Sequence, residues 1–168
     1  TIFAEGHDVL GAELVLTDPR GETASHRMQL ASPGLDLWEI LVLIDEPGEW
    51  TFQIRAWRDD WASWIRAAKL KISAGIDVDV TLDTGTALLK RLLVERPRER
   101  TVAAALKVLS NAALTPDARL AAATDAALSV VIDAHPLASH TAIGGSYPLR
   151  AERERAGVGS WYEFFPRS

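Results

Sequence analysis

The sequence predicts an α+β fold, an immunoglobulin-like antiparallel β-sandwich with an inserted α-helical bundle. Three observations carry this. The first 60 or so residues are strand-patterned and broken by turn residues. The middle is alanine-rich and repeats its apolar residues at helical spacing. The last residues, from Ser146 on, return to strand pattern. A bundle over 62–133 leaves about 100 residues outside it, the size of one immunoglobulin-like sandwich. The predicted domains are therefore 1–61 with 134–168 for the sandwich, and 62–133 for the helices.

Taken in order, "AELVLTDPRGET" reads as a strand closed by a turn at Pro19 and Gly21, and "ASHRMQL" as a second short strand. "LDLWEILVLIDEPGEWTFQIRAW" reads as a hairpin whose two arms flank Asp45-Glu46-Pro47-Gly48. In its second arm Trp50, Phe52, Ile54 and Ala56 alternate with Thr51, Gln53 and Arg55, one face buried and one wet. Trp61, Trp64, Ile65, Ala68 and Ile72 then fall on one helix face. Ile76, Val78, Val80 and Leu82 alternate with polar residues as a strand would, but their context favours a helix entry. "TALLKRLLVER" continues as a helix that stops before Pro97, and "ERTVAAALKVLSNAAL" forms a third. Thr115-Pro116 is a cap followed by an N1 proline, and opens a fourth helix, "PDARLAAATDAALSVVIDA". The tail has a polar break around Gly157 and Gly159, then a strand from about Ser160 to Phe165.

Composition excludes several classes. The chain has 168 residues, a net charge of −5 and no basic stripe, which argues against nucleic acid. Without cysteine there is no disulfide framework and no thiolate metal site, which fits a cytoplasmic protein. No apolar run is long enough to span a membrane. The start, "TIFAEGHD", has neither an initiator methionine nor a signal-peptide pattern, and both ends look cut, so a piece of a longer protein is expected.

Each candidate site has a plainer competing explanation. Trp57, Trp61 and Trp64 lie close enough to stack on a sugar, but their spacing fits a buried joint between sandwich and helices better. His7, His26, His135 and His140 show no zinc-ligand spacing, so no metal site is expected. Asp59, Asp60 and Glu163 suggest paired carboxylates for glycoside hydrolysis. Yet Asp59-Asp60 sits where strand gives way to helix, which suits capping, and Glu163 is flanked by aromatics on a strand. "RPRER" reads as a solvated charge run at a helix junction. No catalytic, substrate-binding or metal-ligating residue and no cofactor is predicted.

The final "WYEFFPRS" is the least ordinary stretch. On a strand Trp161, Glu163 and Phe165 share one face, and Tyr162 and Phe164 the other, so both faces are largely apolar. A sandwich strand needs one buried face, and the second implies another partner. Trp161, Tyr162, Phe164 and Phe165 are therefore expected to contact a further domain.

Together, "EGHD", "EW…AWRDDWASW", "KISAGIDVDV" and above all "WYEFFPRS" resemble the N-terminal region of bacterial α-1,4-glucan:maltose-1-phosphate maltosyltransferases. The resemblance covers nearly the whole chain and is loosest in the alanine-rich helices. It implies an N-terminal β-sandwich with a helical insertion, followed by a catalytic (β/α)8 barrel that carries an aspartate nucleophile and a glutamate acid/base. It also implies a retaining transfer of maltosyl units from maltose 1-phosphate to α-1,4-glucans in glycogen or α-glucan biosynthesis, and a homodimer. None of those catalytic residues has a position in this chain. The expected role is a non-catalytic scaffold. Leu89, Leu93, Leu106 and Leu109 are expected to build a helical core whose outer face meets a partner subunit. The alternatives are a stand-alone carbohydrate-binding module, which requires an exposed aromatic row, and a protein-interaction module.

Overall fold

The computed structural model describes residues 1, 2, 6 and 8–153. The chain mixes α and β structure. Among the described residues there are seven strands, five α-helices and one short 3-10 turn at Pro33–Leu35. The strands are β1 (Leu10–Thr17), β2 (Thr23–Arg27), β3 (Gln29–Ser32), β4 (Leu37–Glu39), β5 (Gly48–Asp59), β6 (Ala138–Ile143) and β7 (Tyr147–Ala151). The helices are α1 (Asp60–Ala74), α2 (Val78–Glu95), α3 (Arg100–Leu109), α4 (Pro116–Ala123) and α5 (Ala126–Ala134). One sheet runs β2-β1-β5-β6 with β7 also paired to β5, and β3 and β4 form a second, two-stranded sheet. The β1·β2, β3·β4 and β5·β7 pairs are antiparallel.

The described residues fall into two compact units. One comprises Thr1, Ala12–Arg55 and 143–153; the other comprises Ile2–Gly11 and Ala56–Ala142. In the first unit the β1–β2 turn is held by Asp18, whose Oδ1 accepts from the backbone N–H of Arg20 (2.9 Å) and of Glu22 (2.7 Å). Gly21 supplies the positive φ that this turn requires. Among the described residues, the fully buried apolar side chains of this unit are Ala12 and Leu16.

The second unit holds a continuous core. Trp61, Trp64, Ala68 and Ile72 of α1 meet Leu82, Leu89 and Leu92 of α2, Val102, Ala105 and Leu109 of α3, and Leu128 and Ile132 of α5. Leu89 and Leu109 are fully buried, and Leu93 and Leu106 pack partly buried against them, so the four predicted leucines do build this core. Gly75 ends α1 in the left-handed conformation, its N–H reaching the carbonyls of Ile72 and Lys71. That stop lets Val78 start α2, so the alternating stretch from Ile76 is a helix entry. Thr115 caps α4 as its sequence predicts, with Oγ1 accepting from Ala118 N–H.

Four expectations are corrected. The first arm of the predicted hairpin is a strand over Leu37–Glu39 only, and pairs with β3 rather than β5. A strand has two edges, and those of β5 are used by β1, β6 and β7, so non-local pairing displaces the local hairpin. "ASHRMQL" is two strands rather than one, parted at Met28. The predicted fourth helix is two, because Asp125 accepts from Ala127 and Leu128 N–H and starts α5 afresh. The predicted third helix stops at Leu109, five residues short of Leu114, and the Asn111 side chain turns the chain by accepting from Ala113 N–H. The tail strand over 160–165, with the break at Gly157 and Gly159, lies outside the described residues.

Candidate functional site

The most concentrated polar chemistry sits in the second unit, where β5 passes into α1. Asp59 is the N-cap of α1 and its Oδ1 accepts from Ala62 N–H at 2.9 Å. The capping role read for the Asp59-Asp60 pair thus falls to Asp59, and Asp60 takes another.

Asp60 is only 8% exposed. Its Oδ1 accepts from Ser139 Oγ (2.6 Å) on β6 and from Arg58 Nε (2.9 Å) on β5. Its Oδ2 accepts from an Arg91 guanidinium nitrogen (2.8 Å) on α2. Arg58 also donates from Nε to Ser139 Oγ (3.1 Å) and approaches Asp8 Oδ2 at 3.6 Å. Burial alone pushes the Asp60 carboxyl up, but the hydrogen bonds from Ser139, Arg91 and Arg58 and the charge of Arg91 outweigh it. The carboxyl is held below its ordinary value. In return, the hydrogen bond and charge of Asp60 raise the Arg58 guanidinium. The carboxylate so joins β5, β6, α1 and α2 at one point.

This arrangement suits a clamp rather than proton transfer. A glycosidase needs two carboxyl groups facing each other across a substrate at roughly 5–10 Å. Here Asp59 is committed to a helix start and Asp60 to three donors. Two hollows lie nearby in the same unit. One, of about 770 Å³, follows α1 past Trp61, Ile65, Arg66, Lys69 and Leu70, and among the described residues no carboxylate lines it. The other, of about 280 Å³, is lined by Ile2, Leu10, Trp57, Arg58, His140 and Asp8, whose carboxylate already faces Arg58.

The remaining candidates are placed as follows. Trp57 on β5 and Trp61 and Trp64 on α1 are all buried in the second unit. The Trp61 and Trp64 rings lie 4.7 Å apart, and Trp64 Nε1 donates to the Thr81 carbonyl at 2.7 Å. His26 is on β2 opposite Leu14, His135 caps the end of α5, and His140 lies on β6 with φ 49°. Among the described residues no three metal-ligating side chains converge, and no helix is long and apolar enough to cross a membrane. In "RPRER", Arg96 closes α2 and Glu99 caps α3, accepting from Thr101 N–H. His7, Glu163, Trp161, Tyr162, Phe164 and Phe165 lie outside the described residues. Sequence reading missed Arg91 and Ser139, which lie 31 and 79 residues from the acid they bind.

Thr86, on α2, is buried and its hydroxyl has no hydrogen-bond partner among the described residues. An unsatisfied buried hydroxyl costs about 1–3 kcal/mol, while valine keeps the shape. Thr86→Val is expected to leave stability unchanged or raise it by about 1 kcal/mol, read from the urea midpoint. A loss above about 1 kcal/mol would show that the hydroxyl is bonded.

The structure defines a mixed α/β chain in which a buried carboxylate ties strands to helices and Trp61 and Trp64 fill a helical core. A family model described as "Alpha-1,4-glucan:maltose-1-phosphate maltosyltransferase, domain N/S" matches residues 1–153. The chain is 41% identical over 172 residues to alpha-1,4-glucan:maltose-1-phosphate maltosyltransferase 1 of Streptomyces coelicolor, with all of this chain and 26% of that protein aligned. The enzymes of the same name from Arcanobacterium haemolyticum (38%, all of this chain, 25% of that protein) and Pseudomonas aeruginosa (35%, 99% and 25%) align likewise. The chain belongs to the N/S-domain family of the α-1,4-glucan:maltose-1-phosphate maltosyltransferases. It spans about a quarter of the length of the curated relatives it matches.

Proposed function

We propose that this chain is the non-catalytic N-terminal scaffold of a maltosyltransferase. The whole protein would move maltosyl units from maltose 1-phosphate onto α-1,4-glucans in glycogen or α-glucan biosynthesis, in the cytoplasm and without a cofactor. The observation that carries this is the N/S-domain match over residues 1–153. The commitment of Asp59 and Asp60 to structural bonds supports a supporting role over a reacting one. The antiparallel strands are in this proposal part of an immunoglobulin-like sandwich, residues 1–61 and 134–168, with a helical domain at 62–133. The segment holding Trp161, Tyr162, Phe164 and Phe165 joins it to a C-terminal (β/α)8 catalytic domain, and the helices support a homodimer. The burial of Trp57, Trp61 and Trp64 favours this over a carbohydrate-binding module, since a stacking platform must be open to the sugar.

The test is made on the full-length enzyme. Tyr162→Ser with Phe164→Ser is expected to lower its Tm by several degrees and to reduce maltosyl transfer; unchanged stability and transfer would overturn the joining role. Tryptophan fluorescence of the 168-residue chain should not respond to maltoheptaose, whereas a saturable shift would favour the binding module.

A further inference from the structure

The larger hollow of the second unit sorts its polar groups by kind. Its volume, about 770 Å³, falls in the range of small-molecule sites, roughly 300–1,000 Å³. From α1 come Arg66 and Lys69, whose nitrogens can only donate, and the apolar Ile65. The end of α4 and the first turn of α5 contribute Thr124 and Ser129. Both hydroxyl protons are already engaged by helix backbone. Thr124 Oγ1 donates to the Ala121 carbonyl (3.1 Å) and Ser129 Oγ to the Asp125 carbonyl (3.0 Å). Their oxygens keep lone pairs, so toward the hollow these two side chains are acceptors.

The charge of the hollow is one-sided. The chain carries a net charge of −5, yet every charged residue from 61 to 76 is a cation: Arg66, Lys69 and Lys71. Lys71 faces Asp77 at 3.1 Å, whereas Lys69 forms no ion pair among the described residues. The acid next in sequence to Thr124, Asp125, is committed to α5, where its Oδ1 accepts from Ala127 N–H (2.9 Å). Arg119 adds a buried positive charge. It stands one turn before Ala123, which lines the hollow, on the same face of α4. Arg119 is 8% exposed, donates from Nε to the Leu109 carbonyl at 2.6 Å, and forms no ion pair among the described residues. A carbonyl offsets only part of a full charge, and a protein interior screens the remainder poorly. An anion in the hollow thus meets two cations at its lining and the field of a third, with no described carboxylate against it.

We propose that this hollow binds a small phosphorylated polyol, such as a sugar phosphate, with its phosphate on Arg66 and Lys69 and its hydroxyl groups donating to Thr124 and Ser129. The polarity of each group requires this arrangement: the donors on α1 need an acceptor, and the two acceptor oxygens need O–H donors. Arg66 and Lys69 are three residues apart and so neighbours on one helix face. A phosphate, with three oxygens and nearly two negative charges, matches such a pair better than a carboxylate does. Ile65 and Ala123 take the carbon-bearing face of the ligand. A neutral glucan offers the hydroxyls without the anion, and inorganic phosphate the anion without the hydroxyls, so each is held more weakly. The site uses only residues of the second unit and does not depend on the maltosyltransferase reading.

The test is lysine footprinting of the full-length protein. N-hydroxysuccinimidyl acetate acylates exposed amines, and mass spectrometry of one digest gives the rates at Lys69 and at Lys107, an exposed lysine of α3 that does not line the hollow. Maltose 1-phosphate and glucose 6-phosphate are titrated separately. With one or both, the rate at Lys69 relative to Lys107 should fall several-fold and saturate. A sugar phosphate held at a catalytic site elsewhere in the protein leaves Lys69 unprotected, so this result and the maltosyltransferase reading fail separately. Arg66→Gln should raise the half-protecting concentration about tenfold, the value of one charge-assisted hydrogen bond. Thr124→Val with Ser129→Ala should weaken protection by the sugar phosphate and leave that by inorganic phosphate unchanged. These side chains are exposed, so the variants keep the fold. No protection by either sugar phosphate would overturn the proposal. So would equal protection by maltose, by inorganic phosphate or by glucuronate, which would remove the need for the phosphate, the hydroxyls or the phosphate over a carboxylate in turn.

Discussion

Gly85→Ala is expected to destabilise the protein by about 2 kcal/mol, although alanine is the better helix former by about 1 kcal/mol. Gly85 lies inside α2 and is buried. A Cβ added there would fall 2.5 Å from Cη2 of Trp64 and closer still to Cζ2 and Cε2, well inside the distance at which unbonded carbons meet. The ring has little freedom to move away. Its Nε1 is tied to the Thr81 carbonyl one turn earlier on the same helix, and the ring packs against Trp61 with centroids 4.7 Å apart. Overpacking a rigid core costs about 1–3 kcal/mol, and the fixed ring puts this site at the upper end, which outweighs the helix gain. The denaturation midpoint measures the loss. Trp64→Phe in the Gly85→Ala background should recover part of it, because the smaller ring vacates the space. The pair should then show an interaction energy of at least about 1 kcal/mol in a double-mutant cycle. A neutral or stabilising Gly85→Ala would mean that Trp64 does not lie over Gly85.

The same pair shows what was legible in the sequence. The spacing of Trp61, Trp64, Ala68 and Ile72 gave the buried face of α1 correctly, because helix periodicity and burial are both local properties of the pattern. The role of Gly85 was not legible, because it depends on a ring 21 residues away. The strand at 48–59 was readable from its alternation, but its neighbours were not, since pairing is decided by which other strands reach its edges. The hairpin around Asp45–Gly48 failed for that reason, and β6 escaped notice because "ASHTAI" has little apolar alternation. The break between α4 and α5 was in principle visible: Thr124-Asp125 before a fresh apolar run is a cap signal, but the alanine content on both sides hid it. At the candidate site, Asp59 could be read as a cap from its place before a helix. The role of Asp60 could not, because its partners Arg91 and Ser139 are brought to it by the fold of the second unit.

Removing that carboxylate gives the second large expected effect. Asp60→Ala should cost about 3 kcal/mol at neutral pH, because a buried acid with three donors is lost and Arg58, Arg91 and Ser139 keep unsatisfied groups. Arg58 and Arg91 are each about 40% exposed and regain some hydration, which keeps the loss at the lower end of the range for broken buried pairs. Asp60→Asn should cost less, about 2 kcal/mol, since the amide oxygen still accepts one of these bonds but the charge is gone. The pH dependence follows from the direction of the shift. The folded carboxyl is held below its ordinary value, so the folded protein takes up this proton less readily than the unfolded chain. The stability it contributes is therefore fully present above the unfolded carboxyl value of about 4, and is lost as pH falls through the lower folded value. In Asp60→Asn this part of the acid limb should be missing. Wild type and variant, separated at pH 7, should converge as the pH drops below about 4. Curves that stay parallel from pH 7 to pH 3 would show that Asp60 is not held ionised by Arg58, Arg91 and Ser139, and the clamp between β5, β6, α1 and α2 would need another source.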